Sequence, residues 1–197
     1  RLRACTKDQA GNEACGYRIV TVQQKKYEVK YIGNNATGGS MSNSSHTYDV
    51  SKNLTANAYT RTGYHFDHWN TKADNSGTTY ANQQSVKNLS STNGAVVNLY
   101  ARWAPNTYSV VYNGNGKTSG TMSNSSHTYD QTKSLSTNQY TKTGYTFTSW
   151  NTKADGSGTG YVDKKEVKNL TSTNGAKVNL YARWKANTYS VVYNGNG

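Results

Sequence analysis

The stretch from Tyr27 to Trp103 returns as Tyr108 to Trp184, displaced by 81 positions with no insertion or deletion, and about two-thirds of the aligned residues are identical. A third copy opens at Tyr189 with Tyr-Ser-Val-Val-Tyr-Asn-Gly-Asn-Gly and runs to Gly197. Whatever this chain folds into, it must therefore make twice from one pattern. Solenoid repeats recur every ~20 to 50 residues and share a core with their neighbours, whereas a unit of this length can enclose a small core of its own. The reading is beads on a string: a segment at 1–26, a first module at 27–107, a second module at 108–188, and the first strand of a third repeat at 189–197.

With 17 tyrosines and four tryptophans but two phenylalanines, the cores of these modules must rest on amphipathic aromatics. Tyr, Val and Thr favour pleated, half-buried surfaces, and Asn-Gly and Asp-Gly pairs punctuate turns, so the fold class is mainly β. In Tyr27-Glu28-Val29-Lys30-Tyr31 and in Val97-Asn98-Leu99-Tyr100-Ala101-Arg102-Trp103 the alternation has the period of two that places every second residue on one strand face. Further strands are expected at Ser45–Asp49 and around Tyr64–Trp69, and the Asn70–Gly77 segment reads as turn chemistry. Val86 and Leu89 lie three apart, which predicts a single helical turn over Ser85–Leu89 and a small α+β unit. Trp69/Trp150 and Trp103/Trp184 recur in register, as core residues would.

The formal net charge is +12, distributed as +4 over residues 1–26, +2 over 27–107 and +6 over 108–197. Lys164, Lys165, Lys177 and Lys185 stand where the first copy has Gln83, Gln84, Val96 and Ala104. A nucleic-acid module repeated twice should repeat its basic surface, because phosphate neutralisation supplies its affinity, so nucleic acid is set aside. Weak, salt-sensitive attraction to an anionic polysaccharide or another extracellular polymer fits the charge better. No segment approaches the ~20 consecutive apolar residues of a membrane helix, so this chain is not expected to insert. Cys5 and Cys15 precede the first repeat, and their spacing favours a disulfide in an oxidising, extracellular setting. Two cysteines without further Cys or His neighbours are too few for zinc.

The order YxVxYxGN, then TRTGYHFDHWNTKADNSGTTY, then VKNLSSTNGAVVNLYARW resembles the Listeria-Bacteroides repeat, also known as the internalin B-type repeat. The resemblance covers both copies and the opening of the third. It implies compact β-grasp-like (ubiquitin-like) modules, a bacterial surface or secreted location, and a spacer or adhesive role; it carries no shared active site.

The remaining candidates for chemistry are sparse. His65, Asp67 and His68 could supply metal ligands, but the second copy has Thr146, Thr148 and Ser149 there, so surface decoration is expected and neither metal nor cofactor. No Ser, His and acid set repeats at a useful spacing, which argues against an enzyme. Asp74 and Asp155 lie in Asp-x-Ser-Gly turns with too few oxygen ligands for calcium. Tyr100, Arg102, Tyr181 and Arg183 alternate onto the face opposite the tryptophans and form the candidate contact surface. Tyr189, Val191, Val192 and Tyr193 repeat the first strand of each unit and form a candidate inter-subunit strand, through which other copies of the chain could assemble into an extracellular filament. A carbohydrate-binding module is a further reading, and it requires exposed Trp or Tyr.

Overall fold

The computed structural model describes residues 2–18, 23–195 and 197, and every regular element among them is a strand. β1 (Leu2–Lys7) and β2 (Glu13–Arg18) form an antiparallel hairpin in which Cys5 lies opposite Cys15. The first repeat contains β3 (Lys26–Ile32), β4 (Ser44–Thr47), β5 (Lys52–Asn53), β6 (Tyr64–Asn70), β7 (Thr79–Tyr80), β8 (Ser85–Val86) and β9 (Val96–Pro105). The second contains β10 (Thr107–Asn113), β11 (Ser125–Thr128), β12 (Lys133–Ser134), β13 (Tyr145–Asn151), β14 (Gly160–Tyr161), β15 (Glu166–Val167) and β16 (Lys177–Ala186).

Each repeat builds one five-stranded sheet, ordered β4-β3-β9-β6-β7 in the first and β11-β10-β16-β13-β14 in the second. The first and last long strands of a unit run parallel at its centre, β3 on β9 and β10 on β16, while the other pairs are antiparallel. Parallel neighbours need a long crossover, and here the whole of the intervening repeat supplies it. This is the grasp-like arrangement anticipated, made without a helix. A two-stranded pair, β5 with β8 or β12 with β15, accompanies each sheet.

The helical turn expected over Ser85–Leu89 is not formed. Val86 lies opposite Lys52 in the β5–β8 pair and buries its side chain. Asn88 then takes the left-handed conformation (φ 57°), and its Oδ1 accepts a hydrogen bond from the Asp49 amide at 2.6 Å. Asn tolerates positive φ better than most residues, so the chain turns there instead of coiling.

The alternation in β3 and β9 puts Tyr27, Val29, Tyr31, Leu99 and Ala101 into one core, closed by Leu54, Trp69 and Val86. The second unit repeats this with Tyr108, Val110, Tyr112, Leu135, Trp150, Val167, Leu180 and Ala182. Phe66 packs on both tryptophans of its unit, with ring centroids 4.9 Å from Trp69 and 5.9 Å from Trp103. A tyrosine core is tenable only where each buried hydroxyl finds a partner. Tyr31 Oη meets Ser44 Oγ at 3.0 Å and accepts from the Thr55 amide at 2.8 Å, and Tyr59 Oη donates to the Tyr31 carbonyl at 3.0 Å. Tyr112 and Tyr140 make the same bonds in the second unit.

Candidate functional site

The residues singled out in the sequence go to separate places. Cys5 and Cys15 form a disulfide with their Cα atoms 4.0 Å apart, on an exposed hairpin. With Glu13 they are the one group of three metal-ligand side chains close together among the described residues, and both sulfurs are already bonded to each other. His65, Asp67 and His68 do not converge as a set, because only Asp67 and His68 meet, at 2.9 Å. A register shift falls between Phe66 and His68, His65 Nδ1 bonds Asn106 Oδ1 at 2.9 Å, and His68 bonds Asp67 and Asn75.

Arg102 and Arg183 are half-buried and reach back to hold a loop: Arg102 donates to the Ala73 carbonyl, and Arg183 to that of Ala154 at 2.8 Å. Tyr100 and Tyr181 are half-buried beside them. The loops they brace are pinned from the other side by buried Asn70 and Asn151. Asn70 Oδ1 accepts from the amides of Lys72 and Gly77 at 2.9 and 3.1 Å, and Asn151 does the same for Lys153 and Gly158. Asp74 and Asp155 cap the same turns through the amides and hydroxyls of Ser76 and Ser157, which hold both carboxyls below their ordinary range. Trp69 and Trp150 are fully buried, and Trp103 and Trp184 are half-buried with their indole N–H groups bonded to the Gly33 and Gly114 carbonyls at 3.0 Å.

A Ser–His pair does recur. Ser44 Oγ lies 2.9 Å from His46 Nε2, and Ser125 Oγ lies 2.9 Å from His127 Nε2. Each ring is stacked on a tyrosine, 5.4 Å between centroids, and is 1% exposed. Nδ1, where a triad would place its orienting acid, has no hydrogen-bond partner in either copy. Burial is the main cause that lowers the pKa of both rings, with Lys52 and Lys133 adding repulsion. These are neutral core histidines.

Sequence reasoning missed the best-built polar site, which joins the two repeats. Only Asn106 separates β9 from β10, and it is 6% exposed. Its amide donates to the Gly63 carbonyl at 2.9 Å and its Oδ1 accepts from His65, both in the first unit. Its Nδ2 donates to the Ser172 carbonyl and its own carbonyl accepts from the Tyr129 amide, both at 2.8 Å and both in the second. Beside it, the Tyr64 ring meets Tyr129 edge to face, 5.8 Å between centroids, and its hydroxyl donates to Asp130 Oδ2 at 2.9 Å. That bond raises the pKa of the Tyr64 phenol, while the Asn169 amide first and Tyr64 second keep Asp130 ionised to lower pH. The Arg61 guanidinium lies 3.9 Å from the Tyr64 ring centroid. Such a joint sets an orientation between neighbours.

The Listeria-Bacteroides repeat domain matches residues 27–102 and 108–183, and the chain belongs to this family. It is 39% identical over 139 residues to a protein of Evansella cellulosilytica named as a Gly-rich membrane protein; the match takes in 70% of this chain and 16% of that protein. A second protein of the same organism, named as a membrane protein, is 37% identical over 92 residues, 45% of this chain and 13% of the relative. The chain thus spans a small fraction of the length of the curated relatives it matches. No helix among the described residues is long and apolar enough to cross a membrane.

Proposed function

We propose that the repeats form a non-enzymatic stalk in a bacterial cell-envelope protein, holding what lies beyond them at a set distance from the surface. The observation that carries this reading is the joint at Asn106, which links two independently cored units through one residue with all its polar groups engaged. Repetition then adds length, not a second site. The family match supports an envelope setting, as do the names of the Evansella relatives. The disulfide agrees with an oxidising compartment. The fully buried Trp69 and Trp150 offer no platform to a sugar, and the exposed Tyr145, Tyr189 and Tyr193 have half-buried or buried counterparts in Tyr64, Tyr108 and Tyr112, so a carbohydrate-binding role draws less support. Adhesion through anionic polysaccharide is the finer part of the proposal, and it rests on the exposed lysines of the second unit.

Fluorescent antibody fragments against the N-terminal hairpin test the reading on intact cells of the source organism. They should bind without permeabilisation, and in-frame removal of residues 108–188 should bring the label closer to the envelope by ~30 to 40 Å, the span of one compact unit of this size. A label that stays at its original height would sink the spacer role.

A further inference from the structure

The end of the second unit carries the same parts as the internal joint, without a partner. Gly63 is buried, and a Cβ placed on it would overlap the Tyr129 ring; at Gly144 a Cβ would meet nothing. Tyr64 is half-buried, whereas its counterpart Tyr145 is 41% exposed. The rest of the acceptor is already assembled. The Asn187 amide donates to the Gly144 carbonyl at 2.9 Å, and Thr146 Oγ1 donates to Asn187 Oδ1 at 2.6 Å, replacing His65 in that role. The Lys142 ammonium lies 4.4 Å from the Tyr145 ring centroid, where Arg61 covers Tyr64. An open concavity of about 500 Å³ lies there, lined by Thr146, Lys185, Ala186, Asn187 and Thr188.

We infer that this end is an acceptor for the Tyr-Asp corner of one further copy of the same repeat, seated as Tyr129 and Asp130 are seated on the first unit. The sequence across the joint supports that occupant. Asn106 to Gly116 and Asn187 to Gly197 are identical, although the residues just before them change from Ala104-Pro105 to Lys185-Ala186. The donor half is equally recognisable where it is undocked: at the start of the first unit the Asp49 side chain is 64% exposed, against 44% for Asp130. Tyr189, Val191, Val192 and Tyr193 lie unpaired and exposed in the structure. Strands of that pattern, β3 and β10, sit between two neighbours in their sheets, and both units already hold their own. The segment therefore fits a further unit better than it fits the sheets present. The inference rests on the stalk reading only in taking the partner to be another repeat, and it adds a fixed, head-to-tail polarity.

Tyrosine nitration reads it directly. In the 197-residue chain, tetranitromethane should modify Tyr145 several-fold faster than Tyr64. Placing a copy of residues 117–188 after Gly197 completes a third repeat in register, and Tyr145 should then slow to the rate of Tyr64. A Tyr145 that reacts as fast as before, in a lengthened chain whose added unit shows protected amides, overturns the inference; the repeats are then loosely strung and the spacer role stands or falls by the label height above. Asp130→Ala in the unlengthened chain supplies an independent arm. It should speed nitration of Tyr64, and a Tyr64 that already reacts like Tyr145 in the unaltered chain would also overturn the inference.

Discussion

The two repeats share the same eight core residues, the second adding Tyr140, and their differences fall mostly where side chains meet water. Tyr27, Val29, Tyr31, Leu54, Trp69, Val86, Leu99 and Ala101 have identical counterparts in the second core, while Gln83, Gln84, Val96 and Ala104 are replaced by lysines. The difference teaches which positions determine the fold. Close packing penalises a volume change of one methylene in the core, whereas an exposed substitution usually changes stability by less than about 0.5 kcal/mol. Polar support inside the core is less strict. Trp150 Nε1 reaches Asp163 Oδ1 at 3.3 Å, yet Trp69 Nε1 is buried without a partner, and Asn82 stands where Asp163 does.

The largest effect should come from the paired tryptophans. Trp69→Ala and Trp150→Ala each remove a fully buried ring that touches three other aromatics, a loss of about 3 to 5 kcal/mol. That is a large part of the stability of a small domain. Because each core is complete within its unit, the altered unit should melt alone and leave its neighbour folded. Urea denaturation followed by backbone NMR should then resolve two transitions. One shared transition, displaced equally by either substitution, would show the repeats to be a single cooperative body.

Gly63 and Gly144 sharpen the comparison at the joint. Both have positive φ, 77° and 76°, so alanine costs each about 1 to 2 kcal/mol in backbone strain. Only Gly63→Ala must also move Tyr129 away. It should lower the melting temperature more than Gly144→Ala and speed nitration of Tyr64. Equal behaviour of the two variants would mean that Tyr129 is not seated there in solution.

Acid should affect both units alike through His46 and His127. Burial depresses each folded pKa below the ordinary value of 6.5, so the unfolded chain takes up protons first as the pH falls. The stability that comes from keeping these rings neutral is whole above about pH 6.5 and is lost as the pH drops through the folded pKa. His127→Gln should flatten that acid slope in the second unit alone. A slope unchanged by the substitution would assign the acid sensitivity to other groups.

Much of this architecture is legible in the chain, because alternation over five to seven residues is a strong signal and both long central strands carry it. Tyr27–Tyr31 and Val97–Trp103 are strands as their period requires; Trp69 and Trp150 are core, and Trp103 and Trp184 pack half-buried against it. Val86 and Leu89 misled because a spacing of three over so short a run does not separate a helical turn from a strand followed by a left-handed Asn. The His65, Asp67 and His68 run makes no three-residue cluster: the joint takes His65 to Asn106, while Asp67 and His68 bond each other and His68 also bonds Asn75. The joint itself was hidden because Asn in a short connection normally signals nothing beyond a turn. One signal was available: Asn106-Thr107 recurs as Asn187-Thr188 while the residues before it change.

The smallest effect probes the orphaned indole. A buried N–H without an acceptor costs about 1 to 3 kcal/mol relative to one that is bonded, and Trp69 Nε1 is in that state. Asn82 holds the equivalent place, since its Oδ1 accepts from the Asn57 amide at 2.9 Å, just as Asp163 Oδ1 accepts from Asn138 at 3.0 Å. What the first unit lacks is the stronger, charged acceptor that draws the indole of Trp150 to 3.3 Å. Asn82→Asp should therefore stabilise the first unit by up to about 1 kcal/mol, the net worth of an ordinary hydrogen bond, and slow exchange of the Trp69 indole proton. Asp163→Asn should cost the second unit a similar amount and speed exchange at Trp150. If the two substitutions leave both indole protons exchanging as before, the contact at Asp163 is one of geometry alone, and the energetic difference between the repeats lies in the packing of Tyr140, which is buried where Tyr59 is only half-buried.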